Sequence, residues 1–209
     1  MPFTPVVARD GNNAAQSMGA FQDASSVNFP AVNLDSTIPT YRAAANFTPQ
    51  ATGAVTVLSI QGSASKTIRI KRIGLSGVST ANGQNVYSLQ RTSALGAGGT
   101  TVTPTIAKLD TNSAAATAVV QHYTTSLKAA GTAVGGPIST ANVQTGVTAV
   151  PTVPVAPQQL LFPEAGVPAG QSIVLRGTAD FLEAQNLAAA NLAAGTVLCY
   201  FVEWTEDAS

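Results

Sequence analysis

Few side chains in this sequence could do covalent or metal chemistry. There is one histidine, His122, and one cysteine, Cys199. A histidine catalyst needs a nucleophile to activate and a partner to orient its ring. The stretch Val119-Val-Gln-His-Tyr-Thr-Thr125 offers neither in a recognisable motif. His122 alternates with Tyr123 and reads as a strand histidine at a loop end or an interface. Cys199 lies inside an apolar run, where a buried inert thiol is the default, and a single cysteine cannot close an internal disulfide. A structural zinc site takes about four Cys, His or carboxylate ligands, and no such set assembles here. Gly96-Ala-Gly-Gly99 has the glycine content of a phosphate loop but lacks the Lys-Ser/Thr and the helix start that follow one. Asn46-Phe-Thr48 fits a glycosylation sequon and, without a secretion signal, is read as coincidence. One basic cluster remains: Lys66, Arg69, Lys71 and Arg72. It could meet an acidic partner or nucleic acid, but a charge run is more often a solvated strand face, and edge lysines also deter unwanted pairing. The acidic end, Glu203, Glu206 and Asp207, is a candidate intersubunit partner for it. The expectation is a protein without enzymatic activity, cofactor or metal.

The composition points the same way. Of 209 residues only 10% are charged, against about 25% in an average soluble domain. Apolar residues make up 45%, much of it Ala and Val, and Thr, Ser, Gly, Asn and Gln fill most of the rest. Short uncharged side chains cost little desolvation and little rotamer entropy to bury. A free monomer usually carries more charge for solubility, so much of this surface is expected to be covered in use. Ten basic and ten acidic residues leave no net charge and no global field to draw in nucleic acid or an anionic membrane. The start, MPFTPVVARDGNN, lacks a signal-peptide pattern, and no run approaches the roughly 20 apolar residues of a membrane span. Synthesis and use without Sec export are expected. A chain of this length can bury about 70% of its unfolded surface, so it needs no metal or disulfide to fold.

The elements that would position any site are mostly strands. Residues 1–50 stand apart, with apolar anchors (Phe3, Phe21, Phe29 and Tyr41 among them) between prolines and no lasting period. Disordered tails are poor in aromatics, so this segment is read as an extended arm that becomes ordered along a neighbouring surface. From Val55 onward strands dominate: 55–60, 66–75, 86–91, 100–109, 117–125, 159–162, 172–176 and 196–205. In Lys66–Leu75, Ile68 and Ile70 share one face while Ile73 and Leu75 fall in the opposite phase. One extra residue near Lys71–Arg72 would bring all four to the core, which predicts a β-bulge. Asn82-Gly83 signals a turn, and Asp110-Thr-Asn-Ser an Asx turn. Residues 126–158, rich in Gly, Ala, Thr and Pro, predict a projecting loop or an extended ribbon. Residues 181–194 are ambiguous: a helix by propensity, or two short strands around Asn186–Asn191, with a slight lean to a helix or helical turn. In the last run Leu198, Tyr200, Val202 and Trp204 share one face and Val197, Cys199 and Phe201 the other, as in a central strand covered on both sides. Short strands separated by Gly, Asn and Pro turns predict an all-β, jelly-roll-like β-sandwich.

Certain of these runs, in this order, carry a likeness. They are Lys66-Thr-Ile-Arg-Ile-Lys-Arg-Ile-Gly-Leu-Ser-Gly77, Leu89-Gln-Arg-Thr-Ser-Ala94, Lys108-Leu-Asp110, Ala115-Ala-Thr-Ala118, Tyr123-Thr124, Ile173-Val-Leu-Arg-Gly177, and Gly195-Thr-Val-Leu-Cys-Tyr-Phe-Val-Glu-Trp-Thr-Glu206. From Ser65 onward the chain resembles virion proteins of tailed bacteriophages with jelly-roll-like folds. Gln159-Leu-Leu-Phe162 stands where those proteins often carry a Trp-containing strand. The resemblance implies a virion component made in a host bacterial cytoplasm. The expected role is a capsid decoration or cement protein, forming a homo-oligomer, most simply a trimer, that contacts the major capsid protein or another virion protein. The expected contact residues are Phe3, Phe21, Phe29, Tyr41, Lys66, Arg69, Lys71 and Arg72. The alternatives are a tail or head-fibre component and a carbohydrate-binding adhesin module; the last would want exposed aromatic platforms, whereas Trp204 is expected in the core.

Overall fold

A computed structural model of the chain describes residues 7–9, 15–17, 21–22, 28–29, 38–49, 55–79, 83–147, 158–161, 172–187 and 196–208. The chain divides into two compact units, Met1–Ile38 and Pro39–Ser209. In the first, β1 (Val7–Arg9) pairs antiparallel with β2 (Ala15–Ser17), and β3 (Phe21–Gln22) with β4 (Asn28–Phe29). Within residues 1–38, expected as part of an extended arm, the described residues are these two short antiparallel pairs.

The second unit is an all-β sandwich of two sheets packed face to face. One sheet runs β10 (Ile106–Lys108), β5 (Thr40–Phe47), β16 (Val197–Ala208), β7 (Lys66–Ser79). Along the other edge of β7 lie β14 (Ile173–Arg176), β13 (Gln158–Leu161) and the end of β12 (Ser139–Val147). The second sheet runs β8 (Gly83–Thr92), β15 (Phe181–Asn186), β6 (Val55–Gln61), β11 (Val119–Lys128), β9 (Gly98–Val102). Strand β12 joins the two, antiparallel to β8 over Ser139–Thr145 and parallel to β7 over Thr145–Val147.

The core follows from the period-2 pattern of these strands. Tyr41, Ile68, Ile70, Ile73, Leu75, Leu198, Tyr200, Val202 and Trp204 come from one sheet, and Leu58, Ile60, Leu89, Val120, Leu182 and Ala184 from the other; all are buried. The bulge in β7 lies where the isoleucine phase requires it: Arg72 pairs with Glu203 and Ile70 with Trp204, which leaves Lys71 as the extra residue. Ile68, Ile70, Ile73 and Leu75 are consequently all within 1% of full burial.

Polar side chains tie the sheets and loops together. Glu206, buried on β16, accepts hydrogen bonds from the Thr117 and Ala118 backbone N–H groups (2.9 and 3.0 Å), the Thr117 hydroxyl (2.7 Å) and Trp204 Nε1 (3.0 Å). The Tyr41 hydroxyl donates to Ala114 O at 3.0 Å. His122 Nδ1 and the Tyr200 hydroxyl share a hydrogen bond of 3.0 Å across the sandwich, and the Phe47 ring lies 4.7 Å from that imidazole. At Asp110, the Asn112 N–H donates to Oδ1 (2.9 Å) and the Ser113 N–H to the backbone carbonyl (3.1 Å), forming the expected Asx turn.

Three further expectations change. Residues 40–47, read as part of the arm, form β5, which pairs with β16 over eight residues from Thr40↔Thr205 to Phe47↔Leu198. Residues 126–158, read as a loop or ribbon, contain the last turns of β11 and the sheet strand β12. Residues 181–186, left open between helix and short strand with a lean to helix, form β15, whose six residues are all buried between β8 and β6. The Asn82 turn position, residues 148–157, Phe162 and residues 188–195 lie outside the described residues.

Candidate assembly surface

The expected contact residues are distributed over both units. Phe3 lies outside the described residues, as do the side chains of Phe21 and Phe29, whose backbones pair with each other across β3 and β4. Tyr41 lies in the core of the sandwich: it is 2% exposed and its ring stacks on Trp204 at 5.8 Å. The alternation of β5 directs Tyr41, Ala43 and Phe47 inward.

The basic cluster has acidic neighbours within the chain. Arg69 Nε pairs with Asp207 Oδ2 at 2.5 Å, and Arg72 Nε lies 3.9 Å from Glu203 Oε1. The acidic end that might have met this cluster from another subunit meets it within the chain, because β7 and β16 are antiparallel neighbours. With the Arg69 and Arg72 side chains 40% and 61% exposed, such pairs contribute about 0–1 kcal/mol each. Their consequence is electrostatic: the charges of Arg69 and Arg72 are partly offset within the chain. Lys66 and Lys71 are half-buried on the same strand.

On β16 the inner face (Leu198, Tyr200, Val202, Trp204) is buried, while Val197, Cys199, Phe201 and Glu203 on the outer face are only half-buried. The Phe201 ring lies flat across Gly74, where a Cβ would meet it at 2.1 Å. The Arg42 guanidinium sits over that ring at 4.8 Å. The strand is therefore covered fully on one face and partly on the other.

The outward face of the second sheet is built differently. On the second sheet, the side chains turned away from the core are polar yet buried: Thr56, Ser59, Ser88, Gln90, Thr92, Glu183 and Gln185. Residues 129–138 lie against them. Gly131 N donates to Glu183 Oε2 (3.1 Å) and Gln90 Nε2 to Gly135 O (3.2 Å), while Thr56 Oγ1 lies 3.4 Å from Ala129 O. Backbone bonds from Ala129 to Ala97, Thr132 to Ala94, Val134 to Arg91 and Ile138 to Leu89, of 2.8 to 3.0 Å, fasten the same segment along its length. Gly131 is required here, since a Cβ would fall 2.2 Å from Ala94 O and 2.3 Å from Glu183 Oε1.

This pinned segment turns apolar side chains outward. Val134 is 49% and Ile138 43% exposed, and Ala129, Ala130, Ala133 and Pro137 are exposed with them. No charge interrupts residues 129–138. A segment already fixed in one conformation loses little entropy when a partner covers it, and exposed apolar patches mark interaction sites. The sequence signalled the uncharged composition of this stretch. It did not signal that the segment lies flat, because the anchor, Glu183, is more than 40 positions away in a stretch that reads as helical.

Among the described residues, no group of three or more His, Cys, Asp or Glu side chains could hold a metal ion. Burial lowers the pKa of His122 below its ordinary value of 6.5. Comparison of the chain with known protein families, curated proteins and solved structures finds no match.

Proposed function

We propose that this chain is a non-enzymatic structural protein of a tailed-phage virion, acting as a capsid decoration or cement protein. The observation that carries the reading is the uncharged segment 129–138, pinned to the sheet with Val134 and Ile138 outward. A surface of this kind suits protein–protein contact more than solvent. The order of strand motifs from Ser65 onward resembles phage virion proteins, and a jelly-roll-like sandwich is the scaffold such proteins use. Pairing of Arg69 and Arg72 within the chain favours a protein partner over nucleic acid. The partners are copies of the same chain, in a trimer, and the major capsid protein or another virion protein. Symmetric repetition multiplies weak contacts into avidity.

A tail or head-fibre component is the nearest second reading, since the same surface would serve there. An adhesin is disfavoured by Trp204, which is 0% exposed and so offers no platform for a sugar. Immunogold labelling of intact particles of the phage that encodes the chain tests the placement. Label distributed over the head is the expected result. Label confined to the tail would move the protein to the fibre class, and particles without label would remove it from the virion.

A further inference from the structure

Glu183 has a role that loop anchoring does not exhaust. Its carboxylate is 0% exposed and makes no ion pair among the described residues. Burying an unpaired carboxylate is costly, and an apolar side chain could hold a loop by packing alone. Its oxygens are divided unequally. Oε1 accepts from the Thr92 hydroxyl at 3.1 Å, while Oε2 accepts from the Thr56 hydroxyl at 2.6 Å, the Gln185 side-chain amide at 2.8 Å and Gly131 N at 3.1 Å. One carboxylate oxygen thus touches both a hydroxyl and a carboxamide nitrogen. Thr56 and Gln185 are also direct cross-strand partners on β6 and β15, which places their Cβ atoms about 4.5–5.5 Å apart. Both are buried, at 1% and 8% exposure.

We propose that Thr56 and Gln185 join in an ester cross-link, with Glu183 moving the proton. Glu183 Oε2 takes the Thr56 hydroxyl proton, and Oγ1 attacks the Gln185 side-chain carbonyl carbon Cδ. The carbon becomes tetrahedral. The proton passes from Oε2 to Gln185 Nε2, the Cδ–Nε2 bond breaks, and ammonia leaves carrying the former hydroxyl hydrogen. An Oγ1–Cδ ester bond remains and Glu183 returns to its starting form. No oxidant, reductant or cofactor is consumed. A base within hydrogen-bond reach of both the nucleophile and the leaving group is the arrangement acyl transfer requires. Holding the reactants side by side on paired strands replaces a bimolecular encounter. Departure of ammonia makes the step one-way in practice, and burial keeps out the water that would hydrolyse the ester.

The neighbours explain why this pair is singled out. Thr92 faces Phe181 across the strands, not a carboxamide. The Ser59 hydroxyl is engaged with the Tyr123 hydroxyl at 2.7 Å. No hydrogen bond joins Ser88, the other neighbour of Gln185, to Glu183 among the described residues. The ester would bolt the strand entering the sandwich at residue 55 to β15, directly beneath segment 129–138. It is independent of the assembly reading, which stands if the bond is absent.

Intact mass spectrometry of the folded full-length protein tests the proposal. The expected mass is the sequence mass less one ammonia. After trypsin, residues 43–66 should appear joined to residues 177–209, and hydroxylamine, which cleaves esters and spares amides, should release them. Thr56→Ala should restore the full sequence mass while the protein stays folded by circular dichroism, and Thr56→Ser should keep the ammonia loss. Glu183→Gln should also restore the full mass; if that variant fails to fold, the two Thr56 variants carry the test. Full sequence mass in the folded wild type overturns the proposal. So does an ammonia loss that survives Thr56→Ala, or one that maps to the Asn82-Gly83 peptide as a cyclised asparagine.

Discussion

At the scale of the residue, buried polar groups act alongside apolar packing. Trp204 illustrates both. Its ring is 0% exposed and stacks on Tyr41, and its Nε1 donates to the same Glu206 carboxylate that fixes Thr117 and Ala118. Truncating Trp204 to Ala should cost about 3–5 kcal/mol in chemical denaturation through lost burial and a cavity. A near-wild-type midpoint would place the indole outside the core and reopen the adhesin reading. His122 makes a pH prediction. Its folded pKa lies below the ordinary 6.5 because burial disfavours the charged ring. Above 6.5 the ring is neutral in both states and its contribution is intact. As the pH falls through 6.5 toward the folded pKa, the unfolded chain binds the proton first, and stability drops by at most about 1.4 kcal/mol per pH unit. Denaturation between about pH 7.5 and pH 5.5 should show this slope in the wild type and a flatter one in His122→Gln. Equal slopes would mean that His122 titrates alike in both states.

At the scale of the element, what was legible depended on whether a strand's partners were encoded nearby or far away. The phase change between Ile70 and Ile73 is a local signal, and it located the bulge at Lys71. The double-faced apolar run ending at Trp204 was equally plain. Strand β15 was not. Phe181-Leu-Glu-Ala-Gln-Asn186 has reasonable helical propensity, and a central glutamate argues against a buried strand until Thr56, Thr92, Gln185 and Gly131 are seen to satisfy it. Tertiary context overrides propensity in such a case. Strand β5 was hidden by its flanking Pro39 and Pro49 and by three alanines whose inward and outward faces look alike. Strand β12 was hidden by the scarcity of large apolar residues: from Ser139–Val143 only Val143 and the small Ala141 meet the core. The surface was the least legible part: Arg69 and Arg72 meet acidic neighbours that only the β7–β16 pairing reveals, and segment 129–138 has no charge or aromatic to draw the eye.

At the scale of the whole molecule, the division after Ile38 makes a different statement from a division after residue 50. Deleting residues 2–38 removes the first unit and leaves β5 whole, so the remaining chain should fold with the circular dichroism spectrum of a β-sandwich. Deleting residues 2–47 strips β16 of its eight-residue partner and opens Trp204, Val202 and Leu198 to water, so that protein should fail to fold. If both truncations fold equally well, β5 contributes nothing to the core. If neither folds, the first unit is indispensable to the second.

The central claim is that the chain works by assembling through an uncharged surface that includes Val134 and Ile138. Sedimentation equilibrium of the full-length protein at moderate and high salt tests it most directly, with the double variant Val134→Asp/Ile138→Asp measured beside the wild type. Both positions are more than 40% exposed, so the substitutions should change stability by no more than about 0.5 kcal/mol. The account predicts the same homo-oligomer, a trimer, at both salt concentrations, because uncharged contacts are not screened, and a folded monomer for the double variant. A wild type that is monomeric under both conditions, or a double variant that assembles as well as the wild type, would contradict it.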